Sequence, residues 1–381
     1  MQPRRNISQP GISLRQDRDF LLDSGLPAEQ QERIHIYCLR NQQGMEVHLC
    51  NYGATFLGIY VPDREGQLEN VILRLPRLAD YLRQEAYIGA SVGPLANRIR
   101  AARCPWKGGE LRFEANEGNT CLHSASDGLN RQIWEVLSLD QQKLVLLTRT
   151  GQGRGGYPFA LELRLTLSLY DDNSLDLLYE ARSAQDALVN LTNHCYFNLA
   201  AGGDVLDQQL WLGASQIQEL DEAQLPTGEL SSIQGTPLDF SHLRPVADCL
   251  APAYRSLRGQ SASLRRQLLD QLLQSGESRG QGLDYSYVLT GEGLRPAARL
   301  EDPRSGRRLD FYTNQPCLQV YSGTHLPLLE GFEGSYGPYS GLCLEAQDYV
   351  DAPNHPEWGG ALLRAGERYQ NHMLYAFSCV D

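Results

Sequence analysis

Moving a proton at a small polar molecule needs an acid, a base and hydrogen-bonding groups held on one face of a rigid element. The stretch Asn190-Leu191-Thr192-Asn193-His194-Cys195-Tyr196-Phe197-Asn198 reads as a strand with such a row. Side chains alternate across a strand, so Asn190, Thr192, His194, Tyr196 and Asn198 share one face, while Leu191, Cys195 and Phe197 lie on the other. Donors, acceptors and aromatic surface in one line suit a sugar, whose hydroxyls need directional partners and whose C–H faces need flat apolar ones. The same pattern also fits an ordinary solvent-facing strand. A second run, Gly341-Leu342-Cys343-Leu344-Glu345-Ala346-Gln347, puts Cys343, Glu345 and Gln347 opposite Leu342, Leu344 and Ala346. Glu345 is thereby either a general base or a rim carboxylate. A third, Cys317-Leu318-Gln319-Val320-Tyr321, presents Gln319 and Tyr321 opposite Leu318 and Val320.

Four more residues belong with these. Asn97-Arg98 follow the small-residue stretch 89–96, where close backbone packing is possible. His123 ends a short run from Asn119, and Asp284 opens the alternating run Tyr285-Ser286-Tyr287-Val288-Leu289. The eight histidines are spread along the chain with no HExxH and no paired Cys/His spacing, so no metal is expected. There is no GxSxG elbow, and Gly151-Gln152-Gly153-Arg154-Gly155-Gly156 does not open a helix after a strand.

The elements that must position these groups are strands. Short runs at 34–39, 46–50, 56–61, 71–75, 133–137, 144–148, 161–170, 174–182 and 188–198 alternate or are apolar. Turn clusters such as Pro62-Asp63-Arg64-Glu65-Gly66 and Asp171-Asp172-Asn173 separate them. Many short strands between turns predict an all-β chain, a large antiparallel β-sandwich with a few short helices. The polar, proline-containing residues 1–32 read as an N-terminal extension, flexible in part or loosely docked. Residues 33–381 form the sandwich domain, with a helical insert around 250–282. Leucines 264, 268, 269, 272 and 273 give that insert one apolar helical face.

Composition agrees. Of 381 residues, 41% are hydrophobic and 21% charged, enough for a large core and against disorder. The net charge of -12 argues against a nucleic-acid or anionic-membrane surface. No run approaches the roughly 18 apolar residues of a membrane helix. The first residues lack the apolar centre of a secretory signal, and nine scattered cysteines without CxxC pairing suit a reducing compartment, so a cytoplasmic protein is expected.

Taken together and in order, several stretches resemble the aldose 1-epimerases, or galactose mutarotases. They are Asn51-Tyr52-Gly53-Ala54-Thr55, Ala96-Asn97-Arg98-Ile99, Asn119-Thr120-Cys121-Leu122-His123 and the run 189–199. Leu225-Pro226-Thr227-Gly228-Glu229, the run 315–323 and Cys343-Leu344-Glu345-Ala346-Gln347 follow. The resemblance spans Arg33 to the C-terminus. It implies a sandwich with a sugar groove on one sheet and an isomerase that interconverts the anomers of a free hexose without a cofactor. It implies His194 as catalytic acid, Glu345 as catalytic base and His123 as a second active-site histidine. Arg98, Asp284 and Gln319, with Asn97 alongside, would hold sugar hydroxyls. The expected partner is a small sugar, and the chain is expected to be a monomer or homodimer. Two rival readings are a hexose-phosphate epimerase, which should carry extra cations around its groove, and a noncatalytic sugar-binding protein on the same fold. Family patterns differ after His123, where Ser124-Ala125 stand in place of glycines, at Pro94 in place of arginine, and at Tyr285, where histidine is usual.

Overall fold

A computed structural model describes residues 10–15, 17–151, 153, 155–250 and 282–380. Three antiparallel sheets organise them. The largest has nine strands in the order Glu135–Leu139, Lys143–Arg149, Glu162–Leu169, Ser174–Arg182, Arg368–Cys379, Arg307–Thr313, Arg295–Glu301, Gln209–Leu212 and Arg244–Pro245. A six-stranded sheet runs Tyr196–Phe197, Leu342–Gln347, Cys317–Tyr321, Asp284–Leu289, Ala214–Leu220 and Pro226–Ser232. A five-stranded sheet runs Gly11–Arg15, Ile36–Arg40, Glu46–Cys50, Thr55–Pro62 and Leu68–Asn70.

The core lies between the two larger sheets. Leu163, Leu165, Leu167, Leu175, Leu177 and Tyr375 of the nine-stranded sheet share one buried cluster with Leu318, Val320, Leu342, Leu344 and Ala346 of the six-stranded sheet. Strand alternation then sends the intervening residues to the far face. In the register, Gln319 stands opposite Glu345, Tyr321 opposite Cys343 and opposite Asp284. The apolar half of each strand therefore anchors the sheet, and the polar half is delivered to one side of it.

Two expectations change in detail. The run 188–198 is not one strand: Thr192–Asn193 pairs with Ser91–Val92, and Tyr196–Phe197 pairs with Leu342–Gln347. The break falls at His194. Val71–Leu75 is not a regular strand either; its backbone bridges to 196–198, with the Leu73 N–H donating to the Tyr196 carbonyl and the Asn198 N–H donating to that of Val71. Within the expected loose extension, Gly11–Arg15 adds an edge strand, with Gly11 opposite Arg40 and Arg15 opposite Ile36. Short helices Arg18–Leu21 and Ala28–Glu32 follow it. The helix expected at 263–274 lies outside the described residues.

No helix of the described residues is long and apolar enough to cross a membrane. All nine cysteines are free thiols, and Cys38, Cys249 and Cys379 alone are more than marginally accessible.

Candidate active site

All seven site residues expected from the sequence line one cavity of about 470 Å³: Asn97, Arg98, His123, His194, Asp284, Gln319 and Glu345. Three of them come from the polar face of the six-stranded sheet. The amide of Gln319 donates to Asp284 Oδ1 at 2.7 Å, tying two adjacent strands together at the cavity wall. Glu345 lies beside them, 2% exposed.

His194 reaches the cavity from the break between two strand pairs. Its N–H donates to the Ala90 carbonyl at 2.9 Å, and its carbonyl accepts from the Gly89 N–H at 3.0 Å. Gly89 is needed for this clamp. It has φ +69°, and a Cβ there would lie 2.3 Å from the Phe56 carbonyl oxygen. Gly89→Ala is expected to cost more than about 2 kcal/mol of stability, combining positive-φ strain with a backbone clash. Chemical denaturation checks this; an unfolding midpoint equal to that of the parent would contradict it.

His123 and Asn97 hold each other. The His123 N–H donates to the Asn97 carbonyl at 3.0 Å, and the Asn97 N–H donates to His123 Nδ1 at 3.1 Å. Both residues have positive φ, 51° and 62°. Because Nδ1 accepts, a neutral His123 carries its proton on Nε2. Burial, followed by the nearby His194 and Arg98, pushes the His123 pKa well below its ordinary value and keeps the ring neutral. Asn97 spends its side-chain oxygen on the Arg98 N–H.

Arg98 makes a forked pair with Glu117, at 2.6 and 2.9 Å. Burial works against its charge, but Glu117 and Asp284 outweigh burial and hold the guanidinium above its usual value. Asp284 is raised by burial, with Arg98 and the Gln319 hydrogen bond opposing.

His194 and Glu345 face each other in the cavity, with Nε2 3.6 Å from Oε1. Burial pushes His194 down to about 4. Burial, then the charge of Asp284, pushes Glu345 well above its ordinary value, with Arg98 opposing. Both shifts have the same largest cause, the cost of a charge in a dry site, and each favours the neutral form of its group. The other carboxylate oxygen, Oε2, is buried and finds no hydrogen-bond partner among the described residues.

Ligand atoms of His123, His194 and Glu345 come within 4.8 Å of one another, a spacing that could in principle hold a cation. The hydrogen bond to His123 Nδ1 argues otherwise. It leaves Nε2 protonated, a donor toward the cavity and not a ligand.

The cavity also holds groups that local sequence patterns do not flag. Tyr87 packs 4.5 Å from the His123 ring and 6.0 Å from that of His194. Tyr196, from the expected polar row, lies tilted 5.0 Å from the His194 ring and donates its hydroxyl to the Ala86 carbonyl. Glu85, Glu117 and His325 complete the polar lining. Of the expected polar row on 190–198, only His194 and Tyr196 reach the cavity. Asn190 accepts from the Asp348 N–H, and Asn198 binds the Ser340 carbonyl, so these two hold loops in place.

The sequence and fold have clear counterparts. The family model for aldose 1-epimerase matches residues 35–376. The chain is 34% identical over 340 residues to a galactose mutarotase from Bos taurus, covering 88% of this chain and 91% of that one. It is 30% identical over 346 residues to an aldose 1-epimerase from Escherichia coli (strain K12), covering 89% and 94%. Among solved structures, an aldose epimerase homologue from C. elegans superposes with TM-score 0.80 at 25% identity, covering 91% of this chain and all of that one. A galactose 1-epimerase from Lactobacillus acidophilus gives TM-score 0.73 at 27% identity, covering 91% and 95%. On this match over nearly its whole length, together with the antiparallel sandwich, the chain belongs to the aldose 1-epimerase family.

Proposed function

We propose that this chain is an aldose 1-epimerase that interconverts the α and β anomers of a free hexose. The observation that carries the reading is the buried pair His194 and Glu345, 3.6 Å apart, at the floor of a cavity of sugar size. Glu345 takes the proton of the anomeric hydroxyl while His194 gives a proton to the ring oxygen. The C1–O5 bond breaks with its electrons going to the oxygen, and the open aldehyde turns about C1. Reclosure on the other face returns both protons, so each group must act as acid and base in turn. The resting pair is neutral because charge is costly there. Passing the shared proton from Glu345 to His194 leaves the net charge unchanged, and sugar hydroxyls can then stabilise the ion pair.

The other residues hold the sugar. Asp284 and Gln319 offer acceptors and donors from the sheet, Arg98 donates from the opposite wall, and His123 donates from Nε2. Tyr87 and Tyr196 offer flat surface to C–H faces. Among the described residues, the lining carries Glu85, Glu117, Asp284 and Glu345 against one guanidinium, that of Arg98, which is already paired. Arg244, a basic residue that could have marked a phosphate rim, is spent on the Asp239 and Asp248 carbonyls. Arg154 and Arg279 lie outside the described residues. This balance favours a neutral sugar over a phosphorylated one.

Anomer exchange followed by polarimetry or NMR, with a panel of free hexoses and glucose 6-phosphate, tests the reading. Acceleration is expected for free sugars with no added cofactor, and kcat/KM for glucose is expected to exceed that for its 6-phosphate. Rates equal to buffer across the panel would favour a noncatalytic sugar-binding role. A preference for the phosphate that weakens with added salt would reverse the substrate assignment.

A further inference from the structure

We propose that Cys343 is a positioning residue: its sulfur accepts the Nδ1–H of His194, so that Nε2 is the nitrogen that exchanges the proton. The inference rests on the reading of His194 and Glu345 as the proton-transfer pair. Cys343 Sγ lies 3.5 Å from His194 Nδ1, within reach of a sulfur hydrogen bond. The opposite ring nitrogen, Nε2, faces Glu345. The imidazole thus has a thiol within hydrogen-bond reach behind it and a carboxyl 3.6 Å in front.

The neighbouring strand pairing sets up this contact. Cys343 and Glu345 are two residues apart on one strand, so their side chains emerge on the same face. Tyr196 stands opposite Cys343 in the neighbouring strand, and the chain leaves that strand just before it, at His194, whose ring turns toward the same two side chains. Cys343 is fully buried, and burial pushes its thiol well above the ordinary range, so it is a neutral neighbour.

The chemistry favours a thiol here. An imidazolium that gives up its Nε2 proton becomes the Nδ1–H form and no other, so that form must be the stable neutral one. A carboxylate or carbonyl behind Nδ1 would select the same tautomer but would make the ring more basic. A sulfur is a weak, uncharged acceptor. It selects the tautomer while leaving the imidazolium a strong acid, which suits protonation of a weakly basic ring oxygen. The same tautomer leaves Nε2 free to receive a proton from the side of Glu345.

The test joins spectroscopy to kinetics. In protein labelled with ring-¹⁵N histidine, with His194→Asn used to assign the signal, the neutral His194 should show a pyrrole-type Nδ1 and a pyridine-type Nε2. Cys343→Ala should let both tautomers appear and lower kcat about three- to tenfold, the worth of one modest hydrogen bond, with KM within about twofold. Cys343→Ser, which keeps a hydrogen-bonding atom, should retain the tautomer and most of kcat. An Nε2–H tautomer in the parent protein would overturn the proposal. So would an unchanged kcat in Cys343→Ala, or a loss of kcat with the tautomer unaltered. Should the alanine variant not fold, the parent spectrum and the serine variant still decide. The spectrum needs no turnover, so an absence of mutarotation would count against the proposed function and leave this question separately answerable.

Discussion

Glu345→Gln is expected to lower kcat by about 10²–10⁴-fold while leaving sugar affinity within a few-fold. The amide matches the carboxyl in shape and can still accept a hydrogen bond, but it takes no proton from the anomeric hydroxyl. Stability is expected to move the other way. The folded pKa of Glu345 is raised above its ordinary value near 4.5. A group raised on folding contributes stability that is fully present below its unfolded pKa and lost as pH rises through the folded one. The parent protein therefore loses stability across that window, and a neutral glutamine there does not. At neutral pH the variant should match or exceed the parent in thermal midpoint while being nearly inactive. Polarimetry and thermal unfolding on one sample check both halves. A variant with near-parental kcat would remove Glu345 from the role of base; a variant destabilised throughout the pH range would contradict the account of its burial.

Arg98 and Asp284 differ in kind from this pair. Each has a side-chain partner in the cavity wall, Arg98 in Glu117 and Asp284 in Gln319. Removing either leaves its partner exposed to the site, so binding and turnover should fall together. The division between the seven residues is thus physical. On the proposed reading, His194 and Glu345, 3.6 Å apart, exchange protons, while Arg98 and Asp284, each tied to a side-chain partner, position the sugar.

The strand Leu342–Gln347 was legible in the sequence because one of its faces packs on the nine-stranded sheet. Leu342, Leu344 and Ala346 enter that core, and the period of two points Glu345 the other way. The polar face of 190–198 was legible only at His194 and Tyr196. Every residue of that run is buried, so a period of two could not mark which polar groups serve the cavity and which hold loops. Sheet membership is non-local as well: nothing within 190–198 signals that Thr192 pairs with Val92 while Tyr196 pairs with Cys343. Tyr87 escaped notice because a loop places it, beyond the helix Leu78–Arg83 and with a positive φ of 53°. Glu117 escaped because its meaning depends on Arg98, nineteen residues away along the chain. The edge strand Gly11–Arg15 sits in polar text, where an unpartnered extension and an edge strand with one exposed face look alike.

His194→Asn is expected to lose a similar 10²–10⁴-fold in kcat, and its pH profile should change shape, which a packing defect would not produce. In the parent protein the pair must hold one proton. Below the acid limb both groups are protonated and no base remains; above the alkaline limb both are deprotonated and no acid remains. With His194 lowered to about 4 by burial, the acid limb of kcat/KM is expected near that pH. With Glu345 raised well above its ordinary value, the alkaline limb is expected clearly above the carboxylate range. The two limbs belong to the pair and not to either residue alone, because the groups are 3.6 Å apart. In His194→Asn only Glu345 titrates, and only its ionised form is a base. Residual activity should therefore rise with pH to a plateau, with the alkaline fall gone. Rate profiles of the parent and variant between about pH 4 and 10 decide this. A bell that survives the substitution, or a kcat close to that of the parent, would place the acid elsewhere, with His123 the next group to test because its Nε2 proton faces the same cavity.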